Sequence, residues 1–154
     1  MTEQDTAFTP SHLDWLLQNF VSATPGVRAA SFNARDGLPM ACTLTNRTDS
    51  EYWAALAGSQ LSTAERLAAL GGDAQPASQV VTQLADGSML VTMSAGEGLP
   101  PWASAQASTA EQATGCVLCV RTDADADPGV VIYEMRMFIA SVAEHLTVPV
   151  RQAA

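Results

Sequence analysis

Lysine is absent from this 154-residue chain: all seven basic residues are arginines, set against 16 acidic residues for a net charge of −9. A polyanion-binding protein needs a clustered basic footprint. Arg28, Arg35, Arg47, Arg66, Arg121, Arg136 and Arg151 come one at a time instead, which argues against nucleic acid and anionic membrane as partners. Without lysine there is also no Gly-x-x-x-x-Gly-Lys phosphate loop. Cysteine is scarce and odd in number, at Cys42, Cys116 and Cys119, which suits buried free thiols better than a disulfide framework. No apolar run approaches the roughly 18 residues of a membrane span. The opening Met1-Thr2-Glu3-Gln4-Asp5 is acidic where a signal peptide opens basic. These absences lead us to expect a soluble cytoplasmic protein.

What is present is ample apolar content, 47% of residues, in a length that suits one domain over residues 1–154. Thr9 can cap a first helix, with Pro10 in its first turn and Phe8 placed to staple against Leu13. Leu13, Leu16, Leu17, Phe20 and Val21 follow at helical spacing, and Pro25-Gly26 ends the run. Residues 27–34 and 38–44 read as strands around the turn Arg35-Asp36-Gly37, a hairpin signal. Residues 79–84 and 88–94 repeat the pattern around Asp86-Gly87. Residues 95–115 break the rhythm with Gly96, Gly98, Pro100 and Pro101, then small polar residues, which reads as an inserted loop. Residues 116–121 form a fifth strand. Beyond Pro128-Gly129, Val131, Met135, Phe138, Ile139, Val142 and Leu146 mark a last helix.

Between the hairpins, residues 49–70 predict a long helix stopped by Gly71-Gly72. Its expected core arc is Trp53, Leu56, Ala57, Leu61, Ala64, Leu67 and Ala68. The opposite face carries Ala54, Ala55, Gly58, Ser59, Ser62 and Ala69 beside Glu65 and Arg66, where a solvent-facing helix usually bears long charged side chains. Two readings stand: alanine's helix propensity, or a surface small enough for another backbone to approach closely.

Several constellations offer chemistry and withdraw it. Cys116-x-x-Cys119 sits on a strand, where residues three apart point to opposite faces and cannot share a metal. Asp123, Asp125 and Asp127 with Glu134 match four positions of a calcium loop, yet Pro128 stands where that loop needs glycine. Carboxylates ahead of a helix are favourable without any metal. His12 and His145 lack a nucleophile context. Asn46-Arg47-Thr48 is a glycosylation sequon of no use in a cytoplasmic protein. Trp102, alone in the insertion, either docks back onto the domain or waits for a partner, and docking is the simpler expectation.

Three stretches resemble bacterial members of the roadblock/light-chain-7 family. They are Leu13-Asp14-Trp15-Leu16-Leu17 with Thr24-Pro25-Gly26-Val27-Arg28, then Ala34-Arg35-Asp36-Gly37-Leu38-Pro39, and the closing Asp123 to Gly129 followed by Val130-Val131-Ile132-Tyr133-Glu134-Met135-Arg136. The likeness spans about residues 10–147, and about fifteen extra residues at 95–115 depart from it. The resemblance implies an α/β (α+β) roadblock/profilin-like sandwich of order α-β-β-α-β-β-β-α. Its five-stranded antiparallel sheet would carry the long helix on one face and the terminal helices on the other. It further implies a homodimer through the second helix and third strand, for which we single out Tyr52, Ala55, Gly58, Ser59, Ser62, Arg66 and Val81. Replacing Gly58 by tryptophan would then separate the protomers. The family contains regulators and scaffolds of small Ras-like GTPases, accompanied in actinobacteria by a sensor kinase, and a lysine-free sequence suits a GC-rich genome of that kind.

The expectation is therefore a non-catalytic homodimeric adaptor of a small Ras-like GTPase, with no cofactor, no metal and no catalytic residue. Arg66 is the one arginine near the presumed interface, and it could simply pair with neighbouring acids. Two rivals are a PAS- or profilin-like small-molecule sensor, which a large apolar pocket between sheet and helix would favour, and a metal-dependent function of the aspartate run.

Overall fold

The computed structural model describes residues 8–104 and 115–146. Helix α1 spans Pro10–Ala23, and the Thr9 hydroxyl accepts a hydrogen bond from the His12 N–H at 3.1 Å. Strands β1 (Val27–Ala34) and β2 (Pro39–Cys42) form the first hairpin. Gly37 takes the positive φ its turn requires, 105°. Helix α2 runs from Arg47 to Ala69 and begins two residues before the expected start. The reason is Asn46, whose side chain accepts from the Asp49 N–H at 3.0 Å. The residue that sequence offered only as part of a sequon is the helix cap.

Strands β3 (Gln79–Gln83) and β4 (Met89–Ser94) form the second hairpin, and β5 (Cys116–Thr122) is central in a sheet ordered β2-β1-β5-β4-β3. Every pairing is antiparallel. Helix α4 (Pro128–Ala143) closes the order. The expected succession is present with one addition, the short helix α3 (Pro101–Ser104) inside the insertion.

Alternation along the strands splits the interior into two cores. On one face Ala30 and Phe32 of β1, Val91 of β4, and Leu118 and Val120 of β5 meet Leu13 and Leu17 of α1 and Val131, Met135 and Phe138 of α4. On the other, Val117 and Cys119 meet Ala57 and Leu61 of α2, with Trp53, Ala77 and Val80 packed alongside. Cys116 and Cys119 therefore lie in different cores, as their spacing on a strand requires. Among the described residues, no helix is long and apolar enough to cross a membrane.

The insertion leaves and rejoins the sheet at one place. Ala95 N–H donates to the Cys116 carbonyl and Cys116 N–H to that of Gly96. Gly115 passes so near that a Cβ would lie 1.9 Å from the Gly96 oxygen. Leu99 and Ala103 enter the larger core, and the Trp102 ring stacks on Phe8 at 5.5 Å. Trp102 thus docks on the domain, on the side of α1 and α4. The described residues of the insertion leave the outer face of α2 and the free edge of β3 uncovered.

The cap of α4 gives a first test. Asp127 accepts from the N–H groups of Gly129 and Val130, so Asp127→Ala should cost about 1 kcal/mol in urea unfolding. Alkali gives a second. Burial pushes the Cys116 thiol from 9.0 up to about 12. The unfolded chain then releases this proton first as pH rises, so stability is whole below pH 9 and falls between 9 and about 12. Cys116→Ala should flatten that decline in denaturation measured across the alkaline range.

Candidate protein-binding surface

Helix α2 packs on the sheet through small side chains. Ala54, Ala57, Gly58 and Leu61 are its buried residues. Gly58 faces the first hairpin so closely that a Cβ would lie 2.1 Å from the Arg35 carbonyl oxygen. The same hairpin is tied to the helix by the Arg35–Glu65 ion pair, and Glu65 also accepts from the Ala77 N–H at 2.8 Å. Beneath the helix lies a polar layer. Ser31 and Asn33 bond each other, while Thr92 bonds Gln60 and contacts the Cys119 sulfur at 3.2 Å. Burial and these neighbours leave the Cys119 thiol raised above its ordinary value, desolvation outweighing the bond from Thr92.

This seating corrects the expected helical faces. Ala54 and Gly58, assigned to the outer face, point inward, whereas Leu56 and Leu67, assigned to the core, are 62% and 65% exposed. The helix lies too near the hairpin for a large residue at position 58. Its inward arc is therefore the small one, and the bulky side chains turn outward. Leu70, which caps the helix, is 84% exposed and extends the same apolar surface. Buried apolar side chains contribute roughly 1.5–3 kcal/mol each, so an element that leaves this many exposed is the candidate interaction surface of the molecule.

The residues singled out from sequence fall into three places. Ala55, Gly58, Ser59, Ser62 and Arg66 line a depression of about 320 Å³ closed by Arg35 and Asp36 of the hairpin. The close approach foreseen at Gly58 is real, but the approaching backbone belongs to the same chain. The hydroxyls of Ser59 and Ser62 donate to carbonyls of their own helix, those of Leu56 and Gly58. Tyr52 stands apart from this depression, 65% exposed beside Leu56. Val81 is 45% exposed on the edge strand. It pairs with Val91, whose side chain lies in the α1/α4 core, so it belongs to the sheet face opposite α2. Arg66 is exposed and makes no ion pair among the described residues, its neighbour Glu65 being held by Arg35. Leu56, Leu67 and Leu70 were missed, and a count of large apolar residues around the whole helix was the signal that could have found them.

The other candidate constellations have structural roles. Asp123 pairs with Arg28 at 3.2 Å and Asp127 caps α4. His145 stacks on Phe8 at 4.5 Å, with His12 5.9 Å away, in the aromatic cluster that receives Trp102.

A five-stranded antiparallel sheet of two hairpins and a central strand, with the long helix on one face and the terminal helices on the other, is the arrangement the sequence resemblance implied. The sequence matches the Roadblock/LC7 domain over residues 13–99. The chain belongs to the Roadblock/LC7 family. A Roadblock/LC7 domain from Streptomyces avermitilis shares 27% identity, with a TM-score of 0.68 over 85% of this chain and 94% of that one. The gliding protein MglB from Thermus thermophilus shares the fold at 19% identity and a TM-score of 0.64, over 89% and 90% of the two chains. LokiProfilin1, solved with rabbit actin, shares it more distantly, at 8% identity and a TM-score of 0.51 over 90% and 98%. No curated protein matches the sequence. The family match ends at residue 99, inside the insertion, whereas the structural likeness covers 85% of the chain and so extends beyond it.

Because Gly58 seats the helix within one chain, its replacement tests the fold and not an interface. Gly58→Ala should lower unfolding stability by about 1–3 kcal/mol through overpacking against the Arg35 carbonyl. A bulkier residue should cost more, measured by chemical denaturation at several protein concentrations.

Proposed function

We propose that this Roadblock/LC7 chain is a non-catalytic homodimeric adaptor that binds a small Ras-like GTPase and biases its nucleotide state or location. The observation that carries the reading is the outward apolar face of α2, with Tyr52, Leu56, Leu67 and Leu70 all more than half exposed. An extended apolar patch of this kind belongs to an interface. Beside it, β3 is a sheet edge whose outer backbone groups are unpaired within the described sheet, open to strand pairing with a second copy. The family resemblance supplies the partner class. A dimer through α2 and β3 would join two sheets and leave the hairpin tips of both copies for the GTPase.

In this reading the adaptor supplies no chemistry of its own. Hydrolysis on the GTPase depends on positioning its water and on compensating charge at the transferring phosphoryl group. The adaptor acts by holding the GTPase's own residues in one arrangement. Arg66 is exposed and without an ion pair among the described residues, yet we assign it no role at the phosphate.

Two measurements test the proposal. Sedimentation of the wild-type chain should give a dimer, and Leu56→Asp with Leu67→Asp should give a folded monomer, since both side chains already face water in one chain. A monomeric wild type, or a double variant that stays dimeric, removes the interface. Affinity capture with GDP or a non-hydrolysable GTP analogue should then retain a GTPase in one nucleotide state only. Capture that fails under both conditions, or ignores the nucleotide, removes the regulator.

A further inference from the structure

On the α2 side of the sheet, the end that carries Ala29, Leu90 and Arg121 on adjacent strands is not covered by the helix. A groove of about 430 Å³ lies between it and the first three turns of α2. Its helical wall is built by Tyr52, Trp53 and Leu56, its floor by Leu90 and Arg121, and Leu44 of the β2–α2 connection closes it. The helix positions lining it run from 49 to 60, about 16 Å at 1.5 Å per residue. The volume falls within the ~300–1,000 Å³ typical of small-molecule sites. The lining is apolar apart from few groups, and two of those are charged. Arg121 on the floor and Asp49 on the helical wall each lack an ion-pair partner among the described residues. The groove shares no lining residue with the depression at Arg35 and Arg66, and its floor takes no part in the outer face of α2.

We infer that this groove is a binding site for a small amphipathic anion, an apolar chain or ring lying along α2 with its carboxylate at Arg121. The Arg121 guanidinium, the one cation among the groove's lining residues and within electrostatic reach of Asp86 on the β3–β4 turn, offers forked donors to a carboxylate. Covering it with the ligand's apolar body excludes water and strengthens that contact. The head group belongs on the sheet side, because Asp49 repels an anion from the helix N-terminal end. An elongated slot of this volume takes a single extended chain, whereas a partner helix of roughly 10 Å diameter could lay only side chains into it. Tyr52 and Leu56 are shared with the face assigned to protein partners, so ligand occupancy would be felt there. The inference itself stands without the GTPase reading.

The probe is sodium octanoate, with 1-octanol as its uncharged counterpart, titrated calorimetrically into the full chain. Octanoate should bind saturably at one site per chain and more tightly than octanol. Arg121→Gln should weaken octanoate about fivefold or more and leave octanol unchanged. Asp49→Asn should strengthen octanoate, and Leu44→Asp should abolish both. Arg121 and Leu44 are exposed and lie outside the α2 face proposed for protein partners, so these variants should remain folded and dimeric. Absence of saturable octanoate binding to the wild type overturns the inference, as does an Arg121→Gln effect equal for acid and alcohol. Saturation at one ligand per two chains would place the probe between protomers and overturn it as well.

Discussion

The contact between Gly58 and the Arg35 carbonyl governs how the rest of the molecule is arranged. It lets the tip of the first hairpin lie against the middle of α2, with the Arg35–Glu65 pair closing the contact on one side. Glu65 in turn holds the backbone at Ala77 as the chain turns toward β3. One carboxylate therefore links the hairpin, the long helix and the approach to the edge strand. A helix seated this low buries mainly small side chains beside Leu61, and much of the apolar bulk of α2 is left for the outside. The exposed apolar face of α2 is a direct result of tight packing within the chain.

The two faces of the sheet use different physics. Toward α1 and α4 the contacts are large and apolar, with the Phe138 ring touching both Phe20 and Phe32. Toward α2 they are small and partly polar, with Ser31, Asn33 and Thr92 buried yet fully hydrogen-bonded. Dispersion and area dominate the first core. The second relies on satisfied polar groups, whose geometry fixes register more strictly than apolar contact does. The apolar core thus holds the scaffold, and the directional one sets the position of the long helix.

Most of the architecture was legible in the sequence because it is written in local signals. The Asp-Gly turns at 36–37 and 86–87 produce hairpins, Thr9 and Pro10 start α1, and the stripe from Val131 to Leu146 faces the core as spaced. The faces of α2 were not legible in the same way. Periodicity locates apolar residues but carries no information on which arc the sheet will accept, and that choice was made by a backbone 23 positions away. The small residues at 54 and 58 signalled a close neighbour correctly, while whether it came from the same chain or another needed the third dimension. Ala55, Gly58, Ser59, Ser62 and Arg66, singled out from sequence as part of a dimer interface, line one depression, while Tyr52 and Val81 lie elsewhere. The groove over Leu90 and Arg121 had no sequence signal, since it joins four separate elements.

The pinched neck of the insertion has a practical meaning. Gly96 and Gly115 touch backbone to backbone, so the sheet registers only that the chain returns and not how much chain lies between. Lengthening such a loop adds closure entropy only logarithmically. Trp102 and Ala103 fix the first part of the excursion against the α1 and α4 side, and the neck makes the length of the insertion a quantity that can vary without loss of strand register.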